Sequence, residues 1–457
     1  MSYQAPRNGF RTFLILWGSQ SLSVFGSFLT FFALNIWLVQ SVYPSPGQQS
    51  QLAWAMAAMG LAMGLPGILF VPVAGALADR LDRKRLMFWM DLASGTIMTA
   101  LTVLMAAGWL PVWLMLALLV LLTLTGTVHG AAFDASYAML VSEAQLPRAN
   151  GMMQTMQSLS GLLSPAAGAT LVALPLLARQ GLIPGLPGRW IGGLSQGAVL
   201  AMGVDAFTFL LAAAVLAFLA IPSPKRADMA ETAGGARPSI WADVRFGGVY
   251  IWRRRPLLWL LAAFAVANLC MPVGIFLPLI VKLDLAGDWG ARGLQYETAL
   301  ATINTIAAVG GVLGGALISV WGGFKRRRVV GLLLAMTLGG LGELIAGTGA
   351  SLYVVAAGIF LLDFSGPLAN AHSQAIWQGQ VPHEMQGRVF SVRRVIAQAL
   401  WPLSQVLAGW MAGIMRPGAG LALLGAVLAV VSAVQFLNPQ VMKVEDKAYL
   451  DRLAANA

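Results

Sequence analysis

Residues 52–85 read LAWAMAAMGLAMGLPGILFVPVAGALADRLDRKR. From Leu52 to Ala78 no side chain is charged, whereas Asp79–Arg85 holds only one that is not. A helix crosses the hydrocarbon core of a bilayer with about 20 predominantly apolar residues. The run therefore predicts a transmembrane helix, and the burst of charge marks where it leaves the lipid.

Eleven more runs of this kind lie on either side. Those before the midpoint are Phe10–Gln40, Leu86–Ala107, Pro111–Val141, Asn150–Ala178 and Ala198–Ile221. Those after it are Pro256–Leu283, Glu297–Trp321, Val329–Ala346, Leu352–Gln378, Val389–Met415 and Ala419–Leu437. The expected fold is an all-α integral membrane protein of twelve spans. Its expected parts are a six-helix bundle over 1–221, a linker over 222–255, a second six-helix bundle over 256–438 and a tail over 439–457. Arg7 and Arg11 precede a first run too long for a signal-peptide core, so that run is read as span 1.

Composition agrees. The chain is 58% hydrophobic and only 10% charged, with a mean hydropathy of +0.75; a soluble chain is nearer a quarter charged. A net charge of +11 would suggest nucleic acid in a soluble protein. Its distribution argues for a membrane instead. With the N-terminus inside, 24 of the 29 Lys and Arg residues fall on cytoplasmic segments, as the positive-inside rule requires. Both termini are then cytoplasmic, and the expected location is the inner or plasma membrane. In the linker, Ser223–Pro238 is polar, and Ile240, Val244, Gly248 and Ile251 recur near helical period, with Trp241 and Trp252 close by. This reads either as a surface amphipathic helix or as an extension of span 7.

The same inventory narrows function. The lone Cys270 allows neither a disulfide nor a zinc site, so no metal or cofactor is expected. Three histidines and no acidic cluster argue against a membrane-embedded transferase. No G-x-x-x-x-G-K-[ST] phosphate loop occurs, which argues against a primary pump.

Spans 2 and 8 end alike, in Gly75–Arg85 and in Gly322–Arg328, and Pro147–Gly151 has a counterpart at Pro382–Arg388. Six spans return the chain to the same side, so the halves are expected to be parallel repeats, which place a binding site near the bilayer midplane. The first turn resembles the signature loop of the major facilitator superfamily, G-x-x-x-D-[RK]-x-G-[RK]-[RK]. Gly75, Asp79, Arg80, Arg83 and Lys84 match it, and Asp82 stands where the family has Gly. Asp79 is placed to ion-pair across a helix interface, so the loop is expected to gate two rocking bundles. Ser160–Ala169 resembles a degraded antiporter motif in which Pro165 and Gly168 match, a pattern that also suits close helix packing. Gly310–Gly315 is read as packing alone.

Val204–Phe209, Gly366–His372, Gln378–Pro382 and Gln386–Arg394 resemble the macrolide-efflux-like, third drug–proton antiporter branch. That resemblance implies export of an amphipathic small molecule in exchange for protons, by a monomer whose other partner is the lipid bilayer, with no nucleic acid involved. A lipid flippase of the same fold, needing no proton, is the alternative.

Ionisable groups at depth are costly and default to function. Asp134 in span 4 and Asp363 in span 10 are the leading proton-coupling candidates, with His129 and His372 behind them. A carboxyl group shielded from water can load and release a proton near neutral pH. In this superfamily spans 1, 4, 7 and 10 line the central cavity. Thr123, Thr127, Asp134 and Tyr137 share one face of span 4, as do Asp363, Asn370 and Gln374 in span 10. Gln20, Ser23 and Ser27 do so in span 1, and Asn268 is the candidate from span 7. Asp205 is expected to cap a helix start, Asp91 is a candidate partner for the basic turn, and Glu343 is expected to reach water near a span end. Nine tryptophans, among them Trp37, Trp54, Trp109 and Trp377, are expected mostly as an interfacial belt.

Overall fold

The computed structural model describes residues 8–142, 145–221, 240–382 and 385–455. Residues 222–239 of the linker and the loop residues His383 and Glu384 lie outside the described residues, and so do the side chains of Asp79, Ile240, Trp241, Val244 and Arg394. Twelve helices among the described residues are long and apolar enough to cross a membrane. They are α1 Gly9–Trp37, α2 Gln49–Arg80, α3 Arg83–Ala106, α4 Val112–Leu140, α5 Leu146–Arg179 and α6 Ala198–Phe218. After them come α7 (Arg255–Cys270, resuming as Val273–Leu279), α8 Tyr296–Trp321, α9 Arg328–Thr348, α10 Leu352–Gln380, α11 Gln386–Ile414 and α12 Pro417–Val434.

The chain divides into two compact units, residues 1–48 with 55–232, and 49–54 with 233–457. Their internal pairings repeat. In the first unit α3 packs on α4 and α6, and α1 on α5; in the second α9 packs on α10 and α12, and α7 on α11. Even a local irregularity recurs: α1 and α7 both finish in a π-helical turn, Leu38–Val42 and Ile280–Asp284. The run expected as one span over Pro256–Leu283 is interrupted at Met271–Pro272, where proline has no amide hydrogen to donate to the helix. Neither the short helix Gly185–Gly192 nor the tail helix Lys447–Ala455 was signalled by hydropathy, since both are too short to span.

The basic turns are built by one device. In the first unit Arg83 donates to the Ala78 and Ala135 carbonyls at 3.3 and 3.0 Å, tying α3 to the ends of α2 and α4, and Lys84 donates to Ala217 O at 3.0 Å. In the second, Arg328 at the start of α9 donates to Ala375 O of α10 at 3.4 Å. Asp82, which departs from the family pattern, has φ −63° and ψ 114°, and its carboxylate accepts the Arg85 amide at 2.8 Å. No left-handed backbone is required there, so a glycine's freedom is not missed, and the aspartate caps α3 instead. Asp82→Ala is expected to cost about 1 kcal/mol, and Asp82→Asn much less, in thermal unfolding of the purified protein.

Between α7 and α8, Asp288 accepts from Arg292 through both carboxylate oxygens at 3.0 Å, and from the Leu352 amide that opens α10 at 2.8 Å. The Arg292 hydrogen bonds, then the Leu352 amide, hold the Asp288 carboxyl below its usual range. A lowered value means the tether is complete above about pH 4 and is lost as the pH falls through the lowered value. Hydrogen exchange at the Leu352 amide is therefore expected to accelerate in acid beyond its intrinsic rate, and Asp288→Asn to remove most of that pH dependence.

Candidate functional site

The first unit holds an open cavity of about 460 Å³. α1 supplies Gln20, Ser23, Ser27 and Thr30; α3 supplies Asp91 and Ser94; α4 supplies Thr123 and His129; α6 supplies Asp205. Most of the remaining wall is apolar, including Phe28, Phe31, Met63 and Phe209. A mostly apolar chamber with a few convergent polar groups is the usual form of a small-molecule site.

Its chemistry centres on Asp91, whose side chain is only 3% exposed. Asp91 Oδ1 lies 2.8 Å from His129 Nδ1, and Oδ2 accepts from Gln20 Nε2 at 3.2 Å. One carboxylate thus joins α1, α3 and α4. Sequence reading placed Asp91 beside the basic turn, but that turn's Arg83 and Lys84 are spent on backbone carbonyls, and the carboxylate faces inward. Asp134, exposed on α4, is close enough to act electrostatically on both His129 and Tyr137.

Asp205 is fully buried, more than a turn beyond the start of α6 at Ala198, so it is no helix-start cap. Its Oδ2 accepts from Thr30 Oγ1 at 2.7 Å, and Oδ1 lies 3.5 Å from Ser27 Oγ. Gly26 makes this contact possible: a Cβ there would stand 2.6 Å from Asp205 Oδ1. α5 closes on the other side of α1, where Gly168 faces the Phe32 ring and Ser164 donates to Phe25 O at 3.2 Å. Pro165 lies within the same helix.

The second unit holds a smaller cavity of about 320 Å³, lined in part by Asn268 and Gln374. Arg393, read in the sequence as a cytoplasmic charge within the Gln386–Arg394 motif, organises it. Its guanidinium donates to Gln374 Oε1 at 2.8 Å and Ser373 Oγ at 3.0 Å, and stands 5.1 Å from the Trp377 ring centre. Asn268 donates to Ala397 O at 2.9 Å. Trp377 is 1% exposed and Trp37 6%, so these two belong to the interior, whereas Trp54, Trp109 and Trp113 are exposed as a belt requires.

The other expected residues are dispersed. Thr127 donates to its own helix at Thr123 O, and Tyr137 packs on Phe133 and Phe13. Asp363 and Asn370 are exposed on α10. His372 is held between backbones: Nδ1 is 2.7 Å from Leu368 O, and Nε2 accepts from the Phe324 amide at 3.1 Å. Glu343 does not reach water. It is 0% exposed in α9, and neither carboxyl oxygen has a hydrogen-bond partner among the described residues, the costliest setting for a charge. Gly310 and Gly314 press α8 onto the α10 backbone at Phe360 and Phe364, as packing positions should.

Among proteins of known character, Macrolide efflux protein A of Streptococcus pyogenes is 25% identical over 409 residues, covering 88% of this chain and 89% of that protein. Multidrug efflux pump Tap of Mycolicibacterium fortuitum is 26% identical over 362 residues, covering 78% and 80%. The fold superposes on a bacterial homologue of the human lysosomal transporter Spinster, in an inward-facing and unoccupied conformation. The TM-score is 0.61 at 17% identity, with 99% of this chain and 96% of that one covered. Residues 16–405 match the sequence profile of the Major Facilitator Superfamily, and with twelve spans in two repeated bundles the chain belongs to that family of transporters.

Proposed function

We propose that this transporter exports an amphipathic small molecule in exchange for protons, and that the Asp91–His129 pair carries the proton. The carrying observation is a carboxylate 2.8 Å from an imidazole on the wall of a largely apolar cavity. Such a pair has two states. With the proton held, it is an ion pair; with the proton released, a carboxylate beside a neutral ring. A cationic or polarised substrate entering the cavity competes for the same carboxylate, which couples its binding to proton release. The macrolide and multidrug efflux relatives support this substrate class. His129 is preferred to His372 because both nitrogens of the latter are engaged by backbone groups. Asp134 tunes the pair from along α4, and Asp363, Asn370 and Gln374 are proposed to line the path contributed by α10.

The basic turn at Gly75–Arg85 is proposed as the gate, with Asp79 as its acidic partner, and the charge bias of the loops supports cytoplasmic termini. Efflux of a fluorescent cationic dye from loaded cells tests the proposal. Export is expected to collapse on adding an uncoupler; export indifferent to the uncoupler would replace antiport with the flippase reading.

A further inference from the structure

A surface helix, Ile240–Arg253, lies against the second unit and is separated from α7 by a break at Arg254, with φ −105° and ψ 73°. Its inward stripe is Gly247, Tyr250 and Ile251, all buried. Tyr250 donates its hydroxyl to Gln380 O at 2.9 Å, and Arg254 stands 3.8 Å from the Tyr250 ring centre while pairing with Asp451 of the tail helix at 3.1 Å. The helix is therefore anchored in a fixed rotation. That rotation leaves Arg245, Phe246, Val249, Trp252 and Arg253 exposed as one continuous face.

The exposed face is apolar along its middle, with Trp252 72% and Val249 43% exposed, and has an arginine at each end. Beside it runs a groove of about 1010 Å³ lined by Arg245, Arg253 and Arg255, with Trp252 and Leu258 as its apolar wall and no carboxylate lining it among the described residues. Arg255 is also the first residue of α7, so the groove lies where that span enters the bilayer. Guanidinium groups bind phosphate through parallel hydrogen bonds, and tryptophan favours the depth of the lipid headgroups. We propose that this face binds an anionic phospholipid of the adjoining leaflet. Arg245, Arg253 and Arg255 hold the phosphate, while Phe246, Val249 and Trp252 sit among the upper acyl carbons. Charge complementarity and continuity with a membrane span select lipid as the occupant.

The test uses the full-length protein in phosphatidylcholine nanodiscs with an environment-sensitive fluorophore on Val249→Cys; Cys270 is 2% exposed and escapes labelling. Phosphatidylglycerol and phosphatidylcholine carrying the same brominated acyl chains are compared as quenchers at equal mole fraction. Selective quenching by phosphatidylglycerol is expected, reporting a local enrichment of roughly fivefold or more, the effect of one arginine at an anionic surface. Arg245→Gln, Arg253→Gln and Arg255→Gln together should bring the two lipids level. Soluble glycerol phosphate should leave the selectivity unchanged. Equal quenching by both lipids with the arginines in place, quenching by neither, or loss of selectivity to glycerol phosphate would each overturn the proposal.

Discussion

Asp91→Asn is expected to lower proton-coupled export by roughly a hundredfold, comparable to the ~3 kcal/mol that removing one partner of a buried charge pair costs. The amide keeps the shape of the carboxylate and can still meet Gln20, so the cavity survives. What it loses is the carboxylate 2.8 Å from His129 on which the proposed proton exchange depends. Size-exclusion chromatography should separate this from unfolding: the variant should stay monodisperse. His129→Gln should produce a loss of similar size, and the double variant little further loss, because the two residues act as one unit. Additive losses would mean that they act separately. Asp205→Asn is expected to weaken the α1–α6 contact at Thr30 without mimicking this loss of coupling.

Gly342→Val, and equally Gly358→Val, should prevent the second unit from folding. A Cβ at Gly342 would stand 2.6 Å from Gly358 O, and one at Gly358 would stand 2.5 Å from Gly342 O. Each obstacle is backbone, which cannot swing aside. α9 is also held close to α12, where Gly340 faces the backbone at Gly425 and Ala429, so a shift away from α10 disturbs that second close contact. Without a hydrophobic drive between helices in lipid, such close approach is what holds a bundle together. Separating the helices costs about 1–3 kcal/mol per overpacked site in a soluble core, and both contacts of α9 are disturbed at once. Detergent-extracted variants should elute as aggregate, whereas Gly311→Ala, with nothing nearer than 3.8 Å, should elute as wild type.

The twelve spans were legible because lipid imposes one simple demand, a long apolar helix, and the chain meets it repeatedly. The repeat was legible from its basic turns. What hydropathy could not show was direction around each helix. Asp91 looked like a residue near a cytoplasmic end, yet the rotation of α3 turns it onto His129. Glu343 looked near water, yet α9 buries it between neighbours. Asp205 looked like a cap because helix starts were known only to within a few residues. Of the polar face read on α1, Gln20, Ser23 and Ser27 line the first unit's cavity. Of the face read on α4, Thr123 lines that cavity while Tyr137 packs on aromatic neighbours. The signal that could have found the central pair was available. Gln20, Asp91 and His129 are polar residues on three different spans, and such groups in lipid have few partners other than one another.

The most direct test reconstitutes the purified protein in liposomes with a pH-sensitive dye inside and applies a macrolide or cationic dye pulse. The account predicts substrate-dependent proton movement opposite to substrate flux, absent with Asp91→Asn and with His129→Gln. Substrate transport at full rate with no proton movement, or proton movement undiminished in both variants, would contradict it.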